Sequence, residues 1–282
     1  MIKLISIFCA NPHFIELQHH SITKNVIGDY EYIIFNSAKV KSVSDVIRNT
    51  CNKLGIKCIN IPVSSAINPS DSAAHALNES FSHLKNDKVF KIDSDMFFIN
   101  RFDINTLKTH DSTYIPVINS NRTKSMWSGL FYLDLNKINE NIDFKPVRGF
   151  GDTFFKSHEI INNKKYLHQE INSITFLEEK NGGYELSYNM DCVFKINKDY
   201  NIVSNQRSEI YRDEILIDLL KRYSTQINFY IHFDFPSPQN YDIIFLNDKS
   251  KIFHYKSASW VEYGNIHEGK KFNKLKELID NE

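Results

Sequence analysis

Apolar and polar residues follow two rhythms along the first hundred positions. Short runs that are apolar almost throughout, KLISIFCA (residues 3–10), YEYIIFNS (30–37), IKCINIPV (56–63) and KVFKI (88–92), predict buried strands. Between them, residues 14–27, 42–55 and 70–85 carry apolar side chains at helical spacing, and Gly55 closes the second of these segments. Strand and helix in alternation predict βαβ units, and so a mostly parallel central sheet flanked by helices. In such sheets ligands bind beyond the carboxyl ends of the strands.

Past residue 100 the rhythm loosens. Strands are predicted at TYIPV (113–117) and GLFYLDL (129–135), with Trp127, Ser128 and Gly129 as a turn before the second. Residues 150–163 read as the start of a helix, 184–197 as a strand pair, 212–225 as an amphipathic helix, and 227–233, 241–248 and 251–260 as further strands. The expected fold class is therefore α/β with a mixed C-terminal part. One catalytic-sized domain over residues 1–262, with halves 1–100 and 101–262, followed by a C-terminal helix at 263–282, accommodates the 282 residues.

Composition narrows the function classes. Lys+Arg and Asp+Glu both number 34, so no net field draws the chain to nucleic acid. Cys9, Cys51, Cys58 and Cys192 form no CxxC pair, which favours a reducing cytoplasm over a disulfide scaffold. The N-terminal run LISIFCA leads straight into a polar segment and reads as a strand, not a signal peptide. No apolar stretch approaches the ~20 residues of a membrane span. Lys270, Lys271, Lys274 and Lys276 on the last helix fit a peripheral contact with anionic lipid, although a solvated helix face is the plainer reading.

The apolar run KVFKI ends at Asp93, Ser94 and Asp95, and the apolar run MFFI follows at once. Two carboxylates so close at a buried strand end repel each other unless a cation compensates them. In an extended segment residues i and i+2 point the same way, so both can share one cavity. Divalent metals take carboxylates, waters and phosphate oxygens together. The plain alternative for the pair is a helix cap or a solvated turn.

An apolar strand ending in two aspartates resembles the D-x-D motif of GT-A glycosyltransferases, which holds a metal and a nucleotide-sugar. HALN (75–78) resembles the helix beside the nucleotide, WSGLFYLDL (127–135) the small-residue turn and strand of the acceptor side, and FHYKSASW (253–260) the late histidine segment over the diphosphate. The resemblance runs from residue 1 to about 260 and rests on several weak motifs in the right order. It implies a GT-A-like, Rossmann-like fold and a metal-dependent transferase. The sugar would pass from a nucleotide-sugar, UDP-sugar favoured, to a hydroxyl of a glycan or lipid-linked acceptor, in surface glycan synthesis.

Carried over by residue, Asp93 would contact ribose or metal, Asp95 would ligate the metal, and His254 would add a nitrogen ligand. Ser94, His75 and Asn78 would lie at the donor, and Lys256 and Ser257 at its diphosphate. Trp127 and Gly129 would face the acceptor. The chain departs from the family pattern in KSASW, where related segments have glycine or proline. A shell of oxygen and nitrogen leans toward Mn²⁺ over Mg²⁺. Asn11, in the loop after the first strand, is placed either for a nucleotide base or as an ordinary turn residue.

Asp152 follows Gly149 and Gly151 and suits a general base for the acceptor hydroxyl, a role worth ~10²–10⁴-fold. An inverting reaction would need such a base, and a helix N-cap is the alternative. A phosphohydrolase of the haloacid dehalogenase type places its D-x-D after the first strand, not the fourth. No phosphate-binding glycine loop of a kinase or ATPase is present. A non-catalytic nucleotide- or sugar-binding protein on the same scaffold, and sugar transfer to modified DNA, remain as alternatives.

Overall fold

A computed structural model describes residues 1–66, 68–118, 123–138, 140–146, 153–154, 156–176, 184–189, 192–196, 202–205, 213–225, 241–247, 249–255 and 269–280. Elements in the first part are β1 (Ile2–Phe8), α1 (Phe14–Asn25), β2 (Val26–Ile27), β3 (Tyr30–Asn36), α2 (Lys41–Leu54), β4 (Lys57–Asn60), α3 (Pro69–Ser82), β5 (Lys88–Ile92) and β6 (Met96–Phe98). There follow β7 (Phe102–Asp103), β8 (Ser112–Ile118), β9 (Lys124–Asp134), α4 (Ser157–Ile161), β10 (His168–Glu170) and β11 (Asn172–Phe176). The chain continues with β12 (Tyr184–Tyr188), β13 (Cys192–Ile196), β14 (Ile202–Asn205), α5 (Asp213–Arg222), β15 (Tyr241–Leu246), β16 (Lys249–His254) and α6 (Gly269–Asp280). The strand expected at 227–233 lies outside the described residues.

The central sheet has the order β10-β8-β9-β5-β1-β3-β4. Its core is parallel, as the alternation predicts: β1 pairs with β3 and β5, and β3 with β4. β9 runs antiparallel between β5 and β8, while β10 is parallel to β8. Successive residues serve opposite faces. Leu4, Ile34, Phe90 and Ile92 join Ile15 of α1 and Ile47 of α2 in one cluster. Ile5, Ile33, Phe35 and Val89 pack with Ala76 of α3 in another. Both faces are covered, which is why these strands read as continuous apolar runs.

Helix ends follow their local chemistry. Gly55 caps α2 at φ 69°, a left-handed conformation that glycine adopts without steric cost. Asn68 opens α3 by accepting a bond from the Ser70 amide, with Pro69 at the first helical position.

The second sheet is antiparallel, in the order β14-β13-β12-β11-β15-β16-β6. β5 and β6 are separated by Asp93, Ser94 and Asp95 alone, so that turn joins the two sheets. The same large apolar cluster includes side chains from both sheets.

Two expectations change. Residues 127–129 are not a turn before a strand but lie inside β9. Its ladder with β8 shifts register between Tyr114 and Pro116, so the Trp127–Leu130 stretch bulges out of that pairing. The helix expected to start within 150–163 is a five-residue helix, α4.

The last helix turns Leu275, Leu278 and Ile279 into the large core cluster. Asp280 meets His20 at 2.8 Å and Lys24 at 3.5 Å on α1. Among the described residues no helix is long and apolar enough to cross a membrane. Ile279 is fully buried, so Ile279→Ala should lower the unfolding free energy by about 2–5 kcal/mol in a urea titration. A loss of less than about 1 kcal/mol, close to the cost of a surface substitution, would show that this helix is only loosely attached.

Candidate metal centre and its cavity

Asp93 and Asp95 stand at the carboxyl end of β5, on a turn and not in the extended segment expected. The Met96 amide donates to the Asp93 carbonyl at 3.2 Å, closing that turn. Gln18 of α1 fixes it from below, donating from Nε2 to the carbonyls of Asp93 (2.8 Å) and Met96 (2.7 Å). Ser6 of β1 donates to the Ile92 carbonyl at 2.9 Å. These bonds satisfy backbone groups that would otherwise be buried without partners.

His254 arrives from the far end of the sequence by sheet pairing. It lies opposite Met96 in the β16–β6 ladder, and the Tyr255 amide donates to the Asp95 carbonyl at 2.9 Å. The side-chain ligand atoms of Asp93, Asp95 and His254 all fall within 4.8 Å of one another. His254 Nε2 is 3.4 Å from Asp95 Oδ1, and its Nδ1 donates to Asp242 Oδ2 at 2.7 Å. A carboxylate behind the imidazole fixes the ring and directs Nε2 toward Asp95, where a metal would be held.

Two members of this cluster were not legible as site residues. Asp242 is fully buried and sits opposite His254 in the β15–β16 ladder. Lys91, 3% exposed, forms an ion pair with Asp93 Oδ1 and donates to the Gly129 carbonyl at 3.2 Å. The signal for each was a charge set among apolar strand residues, Asp242 in YDIIFL and Lys91 in the VFKI that follows Lys88.

The electrostatics are those of a cation site. Burial pushes the Asp93 carboxyl up, Lys91 draws it back down, and the neighbouring Asp95 pushes it up again. Burial lowers the His254 imidazole, but Asp95 and Asp242 outweigh it and the group is pushed up to about 10. In effect a proton on His254 compensates the crowded carboxylates. Two carboxylates and an oriented imidazole form a mixed oxygen and nitrogen donor set that fits Mn²⁺ or Mg²⁺.

Asp93 keeps 37% of its side-chain surface open, whereas Asp95 and His254 keep 1% and 7%. The open side faces a cavity of about 550 Å³, within the range of small-ligand sites. Its walls include Cys9 after β1, Lys39 after β3, Ser70 and Ala73 of α3, and Ser128 of β9.

The structure brings Asp93, Ser94, Asp95, Trp127 and His254 to that cavity. Gly129 sits beside it: a Cβ there would meet the Trp127 ring at 2.3 Å, and its carbonyl takes the Lys91 bond. The Trp127 and His254 rings lie 5.2 Å apart. Asn11, His75 and Asn78 do not line the cavity. Asn78 instead contacts Asp143 at 3.3 Å and accepts from the Phe144 amide at 3.2 Å, pinning a loop behind α3. Asn11 adopts φ 53° and accepts the first backbone bond leading into α1. Asp152, Lys256 and Ser257 lie outside the described residues.

No protein-family model matches the chain, and no curated protein matches it. Among solved structures the chain is similar to the mannosyltransferase PcManGT from Pyrobaculum calidifontis in complex with GDP-Man and Mn²⁺, at 17% identity and a TM-score of 0.31, over 40% of this chain and 34% of that one. It is also similar to S. aureus TarS, at 15% identity and a TM-score of 0.30, over 40% of this chain and 21% of that one. A third similarity, at 14% identity and a TM-score of 0.32, is to a Bacillus anthracis protein assigned as a glucose-1-phosphate thymidylyltransferase, over 48% of this chain and 72% of that one. The matched region thus spans about a third or less of the first two chains.

Metal ligation through Nε2 requires the neutral imidazole, whereas His254 with its pKa raised to about 10 carries a proton at neutral pH. Mn²⁺ binding at pH 7 should therefore release about one proton, and apparent affinity should rise by up to about tenfold per pH unit, the limit for one proton, until pH nears 10. The sign for the metal-free fold is opposite. A raised histidine stabilises it fully below the unfolded value near 6.5, and that contribution is lost as pH rises through about 10. Calorimetry in buffers of different ionisation enthalpy reads the proton count, and a count of zero would remove His254 from the metal shell.

Proposed function

We propose that this chain is a GT-A-type glycosyltransferase that moves a sugar from a nucleotide-sugar to a hydroxyl acceptor with the help of a divalent metal. The observation that carries this reading is the buried cluster of Asp93, Asp95 and His254 at the carboxyl end of a parallel sheet, open on one side to a cavity of about 550 Å³. Such a pocket accommodates a nucleotide-sugar whose diphosphate meets the cluster. The bound metal would act as a Lewis acid toward the charge developing on the leaving diphosphate.

The chain's own residues supply the rest. Asp93 and Asp95 offer hard oxygen ligands, and Asp242 holds His254 in the ligating orientation. Gln18 and Ser6 fix the backbone around the turn, so the carboxylates are held in place before any ligand arrives. Trp127, at the cavity wall, offers an aromatic face on which a sugar ring can stack. UDP-sugar is the favoured donor and a glycan or lipid-linked hydroxyl the favoured acceptor, in surface glycan synthesis; Mn²⁺ is favoured by the nitrogen ligand. Lys256 and Ser257 are proposed to reach the diphosphate.

A panel of nucleotide-sugars assayed for Mn²⁺-dependent release of nucleoside diphosphate tests the reading directly. One donor should be turned over, and Asp95→Ala should abolish this while circular dichroism stays native. No turnover and no binding with any donor would end the proposal. Binding without turnover would support a non-catalytic binder on this scaffold.

Asp152 is proposed as the base of an inverting reaction, a reading supported by the next residue, Thr153, which lines the cavity. Asp152→Asn should lower turnover by ~10² or more with donor and metal binding nearly unchanged. Product NMR showing a retained anomeric configuration, or near-normal turnover in that variant, would return Asp152 to a helix cap.

A further inference from the structure

Among the described residues Lys91 is the only lysine or arginine that is buried. Its strand neighbours Val89, Phe90 and Ile92 are fully buried and apolar, so an aliphatic side chain would pack there without the penalty of sequestering an ammonium. The charge is spent on two contacts, the Asp93 carboxylate and the Gly129 carbonyl. Lys91 also lines the cavity beside Asp93, Asp95 and His254. A fixed cation therefore holds one of the carboxylates that a metal would need.

We infer that Lys91 is a positioning residue that keeps metal affinity low until a nucleoside diphosphate binds. Before that event the ammonium and an incoming metal ion compete for Asp93 and repel each other across a buried site, where charges interact strongly. A diphosphate brings new anionic oxygens into the same cavity, and both cations then have partners. Metal and nucleotide thus bind with positive coupling, and the coupling is reciprocal. This inference rests on the metal centre proposed above.

The direction of the effect separates it from a merely structural role. Mn²⁺ binding near neutral pH is followed by the electron paramagnetic resonance signal of the free ion, with and without each of UDP, GDP, ADP and CDP. Wild-type protein should bind Mn²⁺ about tenfold or more tightly with one of these present. Lys91→Met should bind Mn²⁺ alone about tenfold more tightly than wild type and lose most of the coupling, because a repelling charge is gone. Lys91→Arg, which keeps the charge, should stay close to wild type. If Lys91 only supported the fold, its loss would weaken metal binding, so unchanged or weaker Mn²⁺ affinity in Lys91→Met overturns the inference. Should that variant not give a native circular dichroism spectrum, Lys91→Gln, which keeps a donor for Gly129, is judged by the same criterion. Independently of any variant, wild-type affinity that is equal with and without every diphosphate overturns the coupling. No Mn²⁺ binding under any condition would instead remove the metal centre itself.

Discussion

Asp95 is 1% exposed, Asp242 is fully buried, and Asp93, beside Asp95 at the cavity wall, is the more open carboxylate. Carboxylates at such close quarters in an enclosed site repel one another strongly, and burial removes the water that would screen them. Every arrangement around them answers that constraint. Lys91 is drawn into the core from one side and the His254 imidazole from the other, and the imidazole takes up a proton far above its ordinary range. A divalent cation would do the same electrostatic work with more charge, but it would have to displace that proton and share Asp93 with Lys91.

That requirement also explains the architecture. β5 belongs to the parallel sheet and β6 to the antiparallel one, and the turn between them is where the chain changes partners. At a change of sheet the hydrogen-bond ladders end, so side chains from both sheets converge on a point that neither fills. Gln18 and Ser6 complete the backbone bonding on one side and Tyr255 on the other. The apolar core supplies the rigidity, and the turn supplies the chemistry.

Much of this was legible in the sequence for identifiable reasons. The parallel half announced itself because β1, β3 and β5 are buried on both faces and so read as unbroken apolar runs. Asp93 and Asp95 stood out because two charges interrupt such a run. His254 could be reached only through the resemblance, since its place opposite Met96 depends on a pairing of distant strands. Asp242 and Lys91 were missed for the same kind of reason: each is a single polar residue at a strand position, and period-2 alternation assigns such residues to solvent unless the tertiary fold covers both faces. The contacts of Asn78 with Asp143 and Phe144 were not legible either, because helical spacing does not reveal which neighbouring loop a polar residue meets.

The bulge in β9 connects these observations. With residues 127–130 released from pairing with β8, the Trp127 ring can turn toward His254, and Gly129 must lack a side chain because that ring occupies the space where its Cβ would be. The Gly129 carbonyl then accepts the Lys91 ammonium, whose other partner is Asp93. One irregular stretch of strand therefore touches the cation, the imidazole and the cavity wall together. A regular ladder would restore pairing with β8 along this stretch, whereas the contacts of Trp127 with His254 and of the Gly129 carbonyl with Lys91 are made where that pairing is interrupted. The irregularity costs ladder hydrogen bonds with β8 and yields the alignment of charges at the end of β5, which is the trade expected where a strand serves a site as well as a sheet.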